Sequence, residues 1–153
     1  MKPGRTRWPE SIELVIVTPE RQLLRQTVVD VTLPGGDGCL GVLPGHAPLI
    51  TELGIGELTY RAKGASEGGP LAIISGFAEV LGDRVTVLAE VAERPEEIDV
   101  ARAEEAKKRA EQRLASASSD PNVDWARAAI ALQRSLIRIQ VARKRHGAPV
   151  SME

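Results

Sequence analysis

Short runs of alternating apolar and polar residues fill the first part of the chain, and a three-and-four spacing of apolar residues replaces them near the end. Ile12–Thr18, Val28–Leu33, Glu57–Ala62, Leu71–Ser75, Phe77–Leu81 and Arg84–Val91 are short and rich in β-branched residues, and several alternate with period 2. That pattern predicts half-buried strands. Turn chemistry separates them at Pro19-Glu20-Arg21, Pro34-Gly35-Gly36-Asp37-Gly38, Gly68-Gly69-Pro70 and Gly82-Asp83. Strand after strand with no helix between them predicts a β-sandwich or flattened barrel with antiparallel neighbours.

Beyond residue 95 the period changes. A first helix is predicted from an Asp99 cap to about Ala117, then a loop Ser116–Asn122, then a second helix from about Asp124 to Lys144. The first helix carries Ala103, Ala106, Ala110, Leu114 and Ala117 on one stripe, small enough for a second helix to approach closely. The second has two apolar stripes, one of Trp125, Ala129, Leu132, Leu136 and Ile139, the other of Ala126, Ile130, Ile137 and Val141. Two apolar sides need two partners. The first helix supplies one; the β part, another chain, or each in turn supplies the other.

Glycine and proline agree with this division. Thirteen of the 14 glycines lie at or before Gly82, and between Glu96 and His146 the only proline is Pro121. Both residues weaken helix interiors, so their absence marks helical sequence. The predicted class is α+β, with a β unit over residues 1–94 and a two-helix antiparallel hairpin with a short tail over 95–153. A length of 153 residues accommodates one ordinary domain or two small ones.

Charge and composition then exclude function classes. With 20 Lys+Arg against 21 Asp+Glu, the chain lacks the basic excess of a nucleic-acid coat, and 3% aromatics supply no stacking platform. One cysteine, Cys39, permits no internal disulfide and no cysteine-based zinc site, and two histidines a hundred residues apart make no metal cage. No run approaches the roughly 20 apolar residues of a membrane span, and the N-terminus lacks the apolar stretch of a signal peptide. The expectation is a soluble chain that is not secreted and whose thiol stays reduced. The balanced total also conceals an asymmetry: residues 1–94 hold 9 basic and 12 acidic groups, residues 95–153 hold 11 and 9.

Few residues assemble into catalytic machinery. Gly36-Asp37-Gly38-Cys39-Leu40-Gly41 fits G-x-G-x-x-G. A dinucleotide fingerprint, however, needs a helix opening there, and Val42-Leu43-Pro44-Gly45-His46-Ala47-Pro48 cannot form one. A glycine-rich loop is the better reading. His46 has no nucleophile, acid pair or second histidine nearby, which favours a loop histidine that shapes a turn or touches a partner over a base or ligand. Nothing local lowers the pKa of Cys39. No catalytic residue and no metal ligand is assigned, and a small β-barrel enzyme is disfavoured.

The arginines carry more. On the first helix, Asp99, Arg102, Arg109 and Arg113 share a face beside the alanine stripe; on the second, Arg127, Arg134 and Arg138 lie beside Ile130 and Ile137. Folding the hairpin about Asp120 sets residues whose numbers sum to about 240 level with each other. Arg102 then meets Arg138, and Arg109 faces the Ala131–Arg134 turn. Four cations along one seam either splay into water or are bridged by an anion.

These residues also carry a family signature. From about Ser11 to Arg145 the chain resembles the epsilon subunit of the F-type rotary ATP synthase. The most specific stretch is Gly41-Val-Leu-Pro-Gly-His-Ala-Pro-Leu-Ile-Thr51, similar to the loop after the family's third strand. Ile98-Asp99-Val100-Ala101-Arg102-Ala103 fits the I/L-D-x-x-R-A pattern that opens the first C-terminal helix, and Ser75-Gly76-Phe77 and Val85–Ala89 fit as well.

The resemblance implies a non-catalytic central-stalk subunit that couples proton-driven rotation to ATP synthesis. Its partners would be the gamma subunit, the membrane ring of c subunits and the alpha/beta catalytic head. Membrane association would come only through the complex, on the cytoplasmic face of the bacterial inner membrane, with no nucleic acid involved. The family's hairpin is a mobile regulator that permits hydrolysis when folded on the sandwich and inhibits it when extended towards the beta subunit. No obligatory cofactor is implied, but some members bind regulatory ATP in the folded hairpin; by position, Glu93, Asp99, Arg102, Arg109, Arg134 and Arg138 match that set. Asp99 would then accept hydrogen bonds from the adenine amino group or an arginine. Asp37, Cys39 and His46 match the loop region facing the c-ring and gamma, although many members have an acid where Cys39 stands. The six cations and one acid between Asp124 and His146 suit docking on an acidic loop of beta. The alternative is a free-standing ATP- or anion-sensing module.

Overall fold

The computed structural model describes residues 8–64 and 67–144. Six strands, β1 (Ile12–Val17), β2 (Gln22–Gly35), β3 (Gly38–Val42), β4 (Leu49–Ala62), β5 (Glu67–Leu81) and β6 (Arg84–Glu93), precede a single 3-10 turn at Pro95–Glu97 and two helices, α1 (Val100–Ser116) and α2 (Trp125–Lys144). The strands run in the order β1-β6-β5-β4-β2-β3, and a further β1–β2 pairing closes the sheet into a flattened barrel with β3 as a flap on β2. Neighbours are antiparallel except β1 and β6, which are parallel. Closure removes the unpaired edges that β1 and β2 would otherwise expose.

Alternation fills the interior. Ile12, Leu14 and Ile16 of β1 point inward with Val85 and Val87 of β6, joined by Val28, Leu33, Leu58 and Ile73. β2, β4, β5 and β6 are longer than the sequence pattern predicts. β5 is one strand where two are expected, because Ser75 (φ 57°) and Gly76 (φ 137°) shift its alternation by one residue. Leu71 and Ile73 face the core before that point, and Ala78 and Val80 after it. The expected turn at Gly68-Gly69-Pro70 lies inside β5, where Gly68 leaves room for the Tyr60 ring. The supposed glycine-rich loop is a tight turn at Gly36-Asp37 followed by β3, with Gly38 opposite Gly35.

The helices obey their local signals. Asp99 caps α1 by accepting the Arg102 N–H at 3.0 Å, and Asp124 accepts the Arg127 N–H at 3.1 Å at the start of α2. Ala103 and Ala110 of the alanine stripe are buried, as are Ala128, Ser135 and Ala142 of α2, a heptad of small residues that lets the helices pack closely. The Ser135 hydroxyl is satisfied within α2 by the Leu132 carbonyl at 2.8 Å. Of the two apolar stripes on α2, the one containing Ile137 and Val141 meets the barrel: both pack against Ala72, with Ile55 and Ile98 at the margin. That contact explains the unbroken apolar run Leu71–Ile74, since a strand covered on both faces has no solvent side to make polar. Trp125, Leu136 and Ile130 stay exposed. Arg145 and His146 lie outside the described residues.

Candidate arginine cleft between the helices and the barrel

The linker that joins barrel to helices is tied down by charge. Arg94 donates to the Leu23 carbonyl at 2.8 Å, and Glu97 accepts the Arg94 N–H at 3.0 Å and the Arg21 guanidinium at 2.6 Å. Burial opposes ionisation of Glu97, but the Arg94 N–H, the Arg21 hydrogen bond and both guanidinium charges outweigh it and hold its pKa below the usual range. The linker thus fixes the start of α1 relative to the end of β6.

Between these parts opens a cleft of about 490 Å³. Its wall contains all six residues expected from the sequence: Glu93, Asp99, Arg102, Arg109, Arg134 and Arg138. They come from three elements. Glu93 is the last residue of β6, Asp99 and two arginines open and line α1, and two arginines line α2. Folding about the interhelix loop is what brings the two helical sets level.

Their electrostatic states differ. Arg138 Nε donates to Glu93 Oε2 at 2.8 Å, with both side chains about 30% exposed, at 31% and 27%. Arg109 lies 4.0 Å from Glu105 one turn earlier, an exposed pair of small worth. Arg102 and Arg134 have no ion-pair or hydrogen-bond partner for their guanidinium groups among the described residues. Two uncompensated guanidinium groups, with a third held by one carboxylate, favour a polyanion, and guanidinium forks match phosphate oxygens. Asp99 uses Oδ1 for the helix cap, and Oδ2 accepts no hydrogen bond among the described residues. Glu97 and Ser135 also line the cleft and were missed from the sequence. The acid three residues after Arg94, the spacing of a capping box, was the available sign for Glu97.

The other predicted residues lie elsewhere. Asp37 lies in the exposed β2–β3 turn, and Cys39, an exposed free thiol, lies in β3 opposite Pro34. His46 is not in that loop but in the β3–β4 connection, where its Nδ1 lies 2.7 Å from the Ala47 carbonyl. Asp37 and His46 thus lie on the two connections that flank β3, which itself carries Cys39. No group of metal-ligating side chains occurs among the described residues, and no described helix is long and apolar enough to cross a membrane.

Comparison with known proteins agrees over almost the whole chain. The family model "ATP synthase, Delta/Epsilon chain, beta-sandwich domain" matches residues 11–95, and "ATP synthase, Delta/Epsilon chain, long alpha-helix domain" matches 96–143. The ATP synthase epsilon chain of Koribacter versatilis is 59% identical over 105 residues, covering 69% of this chain and 72% of its own. That of Nitratidesulfovibrio vulgaris (strain DP4) is 49% identical over 132 residues, covering 86% and 96%. That of Solibacter usitatus is 45% identical over 137 residues, covering 90% and 99%. Among solved structures, a chain of the Euglena gracilis mitochondrial ATP synthase (OSCP/F1/c-ring, rotational state 1) superposes with a TM-score of 0.76 at 27% identity, covering 92% of this chain and 86% of that one.

Proposed function

Since the chain belongs to the delta/epsilon family of ATP synthase subunits and is an epsilon-type member, we propose that it is a non-catalytic central-stalk subunit whose helical hairpin regulates ATP hydrolysis in response to ATP. The observation that carries the regulatory part is the cleft, in which two unpaired arginines and one carboxylate-held arginine from both helices converge beside Glu93. A phosphate chain bound there bridges α1, α2 and the end of β6, and so favours the folded hairpin over an extended one. Hairpin mobility is supported by the small size of the apolar seat on the barrel, where Ile137 and Val141 meet Ala72 with Ile55 and Ile98 at the margin.

The stalk role rests on the barrel surface. Phe77 of β5 pairs with Leu88 of β6 on the outward face, and Ile50 of β4 faces outward nearby, all three more than half exposed at 57%, 55% and 71%. Such an apolar row suits a permanent partner, which we assign to the gamma subunit. The Asp37 turn, and separately the His46 loop, are assigned to contacts with the c-ring and gamma. The basic α2, with Arg127, Arg134, Arg138, Arg143 and Lys144, suits an acidic loop of the beta subunit when extended. These assignments place the chain at the cytoplasmic face of the bacterial inner membrane, held there only through the complex.

Reconstitution tests the proposal. Adding the full chain to a gamma-containing catalytic head lacking epsilon is expected to lower ATP hydrolysis, and ATP in excess is expected to relieve the inhibition. Removing residues from Asp99 onward should abolish inhibition while binding to gamma persists. Failure to bind gamma, or ATP turnover by the isolated chain, would overturn the assignment.

A further inference from the structure

The seat of α2 on the barrel has a second carboxylate, outside the arginine cleft. Glu57, Ala72 and Glu93 form one row across β4, β5 and β6: Glu57 is paired with Ala72, and Ala72 with Glu93. Directly paired residues point to the same face, and neighbouring strands lie about 4.8 Å apart, so the two acids flank the alanine at roughly 10 Å backbone separation. Ile137 and Val141 sit on Ala72. One hundred degrees per residue then sends Arg138 to one side of that contact and Gln140 and Lys144 to the other.

Both sides are engaged. Arg138 reaches Glu93 at 2.8 Å. Lys144 Nζ donates to both oxygens of Glu57, at 2.7 and 2.9 Å, and Gln140 Nε2 donates to Oε2 at 2.9 Å. The Glu57 side chain is 14% exposed, less than any other acid in an ion pair of the described residues. Three charge-assisted bonds on one shielded carboxylate exceed what a surface ion pair contributes.

The two acids differ in one respect that matters for regulation. Glu93 and Arg138 line the cleft, so an anion there competes for Arg138; Glu57, Gln140 and Lys144 do not line it. We propose that Glu57 is a latch that holds the last turn of α2 on the barrel independently of whether the arginine cleft is occupied. It gives the hairpin a folded baseline without nucleotide, and an anion adds to that baseline. The latch presupposes the mobile hairpin proposed above.

The test uses the full chain with nitroxide labels on Cys39 and on a cysteine introduced at exposed Gln133, with the folded and extended populations read from electron–electron distance distributions. Without ATP, Glu57→Gln is expected to lower the folded-to-extended ratio about three- to tenfold, and Lys144→Gln similarly. The charge-reversed pair Glu57→Lys/Lys144→Glu should recover part of the loss, which controls for any damage to β4. Raising salt from 50 to 500 mM, chosen to shorten the screening length, should reduce the difference between wild type and Glu57→Gln. An unchanged ratio in Glu57→Gln while Arg138→Gln extends the hairpin overturns the latch and leaves the mobile hairpin standing. A loss seen only with ATP present overturns its independence from the cleft. If no variant and no salt concentration alters the distribution, the hairpin does not move and both readings fall.

Discussion

Glu93, the last residue of β6, holds Arg138 of α2 through a 2.8 Å hydrogen bond to Nε, so the barrel and the second helix share one wall of the arginine cleft. A phosphate entering there meets Arg138 already paired with Glu93, but meets Arg102 and Arg134 without partners among the described residues. The arginines are therefore unequal.

Arg102→Ala is expected to weaken ATP binding about 10- to 150-fold, equivalent to roughly 1.5–3 kcal/mol for one lost guanidinium–phosphate contact. Arg138→Ala removes a cation and also leaves the Glu93 charge facing the ligand, so its loss should be at least as large. Isothermal calorimetry on the isolated chain measures both. Unchanged affinity in both variants removes the cleft from the account.

Asp99 caps α1 and lines the cleft, and two substitutions separate those roles. Asp99→Ala should lower stability by about 1 kcal/mol in urea unfolding followed by far-UV circular dichroism. Asp99→Asn keeps a capping oxygen and should preserve stability. Weaker ATP binding in the Asn variant would then show that the carboxylate itself touches the nucleotide.

Gly76 takes φ 137°, and a Cβ there collides with the Leu88 carbonyl. Gly76→Ala is expected to destabilise the barrel by about 1–3 kcal/mol, because the positive φ and the close backbone of β6 both exclude a side chain. The thermal midpoint of the full chain reports it. An unaltered midpoint means that β5 can shift locally away from β6 to admit the methyl group.

Glu97 titrates below the ordinary glutamate value of 4.5 because the Arg94 N–H and Arg21 outweigh its burial. As pH falls, the unfolded chain takes up this proton before the folded chain does. The stabilisation is thus complete above the unfolded pKa and disappears as pH drops through the folded one. Glu97→Gln should be less stable than wild type at pH 7, and the two should converge well below pH 4. Urea unfolding across that window checks the slope; parallel curves would show that the linker clamp contributes nothing.

Much of this molecule was legible in its residues. Period-2 alternation in Ile12–Val17 and Arg84–Glu93, the Asp99 cap and the alanine stripe are local signals, each set by backbone sterics and the need to bury one face. The hairpin sum rule also placed four arginines together, because an antiparallel helix pair maps sequence distance onto position with little freedom. The resemblance then supplied Glu93, whose position at a strand end no periodicity would have marked.

Other features depended on contacts between distant segments. The unity of β5 was hidden because Ser75-Gly76 shifts its alternation, which resembles a strand break unless the partner strands on both sides are known. The separation of His46 from the Asp37 turn followed from β3, a strand too short and glycine-rich to announce itself. Glu57 gave no sign at all: an exposed-face glutamate in a strand gains a role only when Ala72 sets it beside Glu93 and α2 crosses the row. Sequence alone located both helices and five of the six strands and the inward faces of β1, β6 and α1, since those are decided within a few residues. Tertiary structure decided which side of α2 meets the barrel and which acids receive its cations, because pairing register and helix placement are fixed by contacts far apart in the chain.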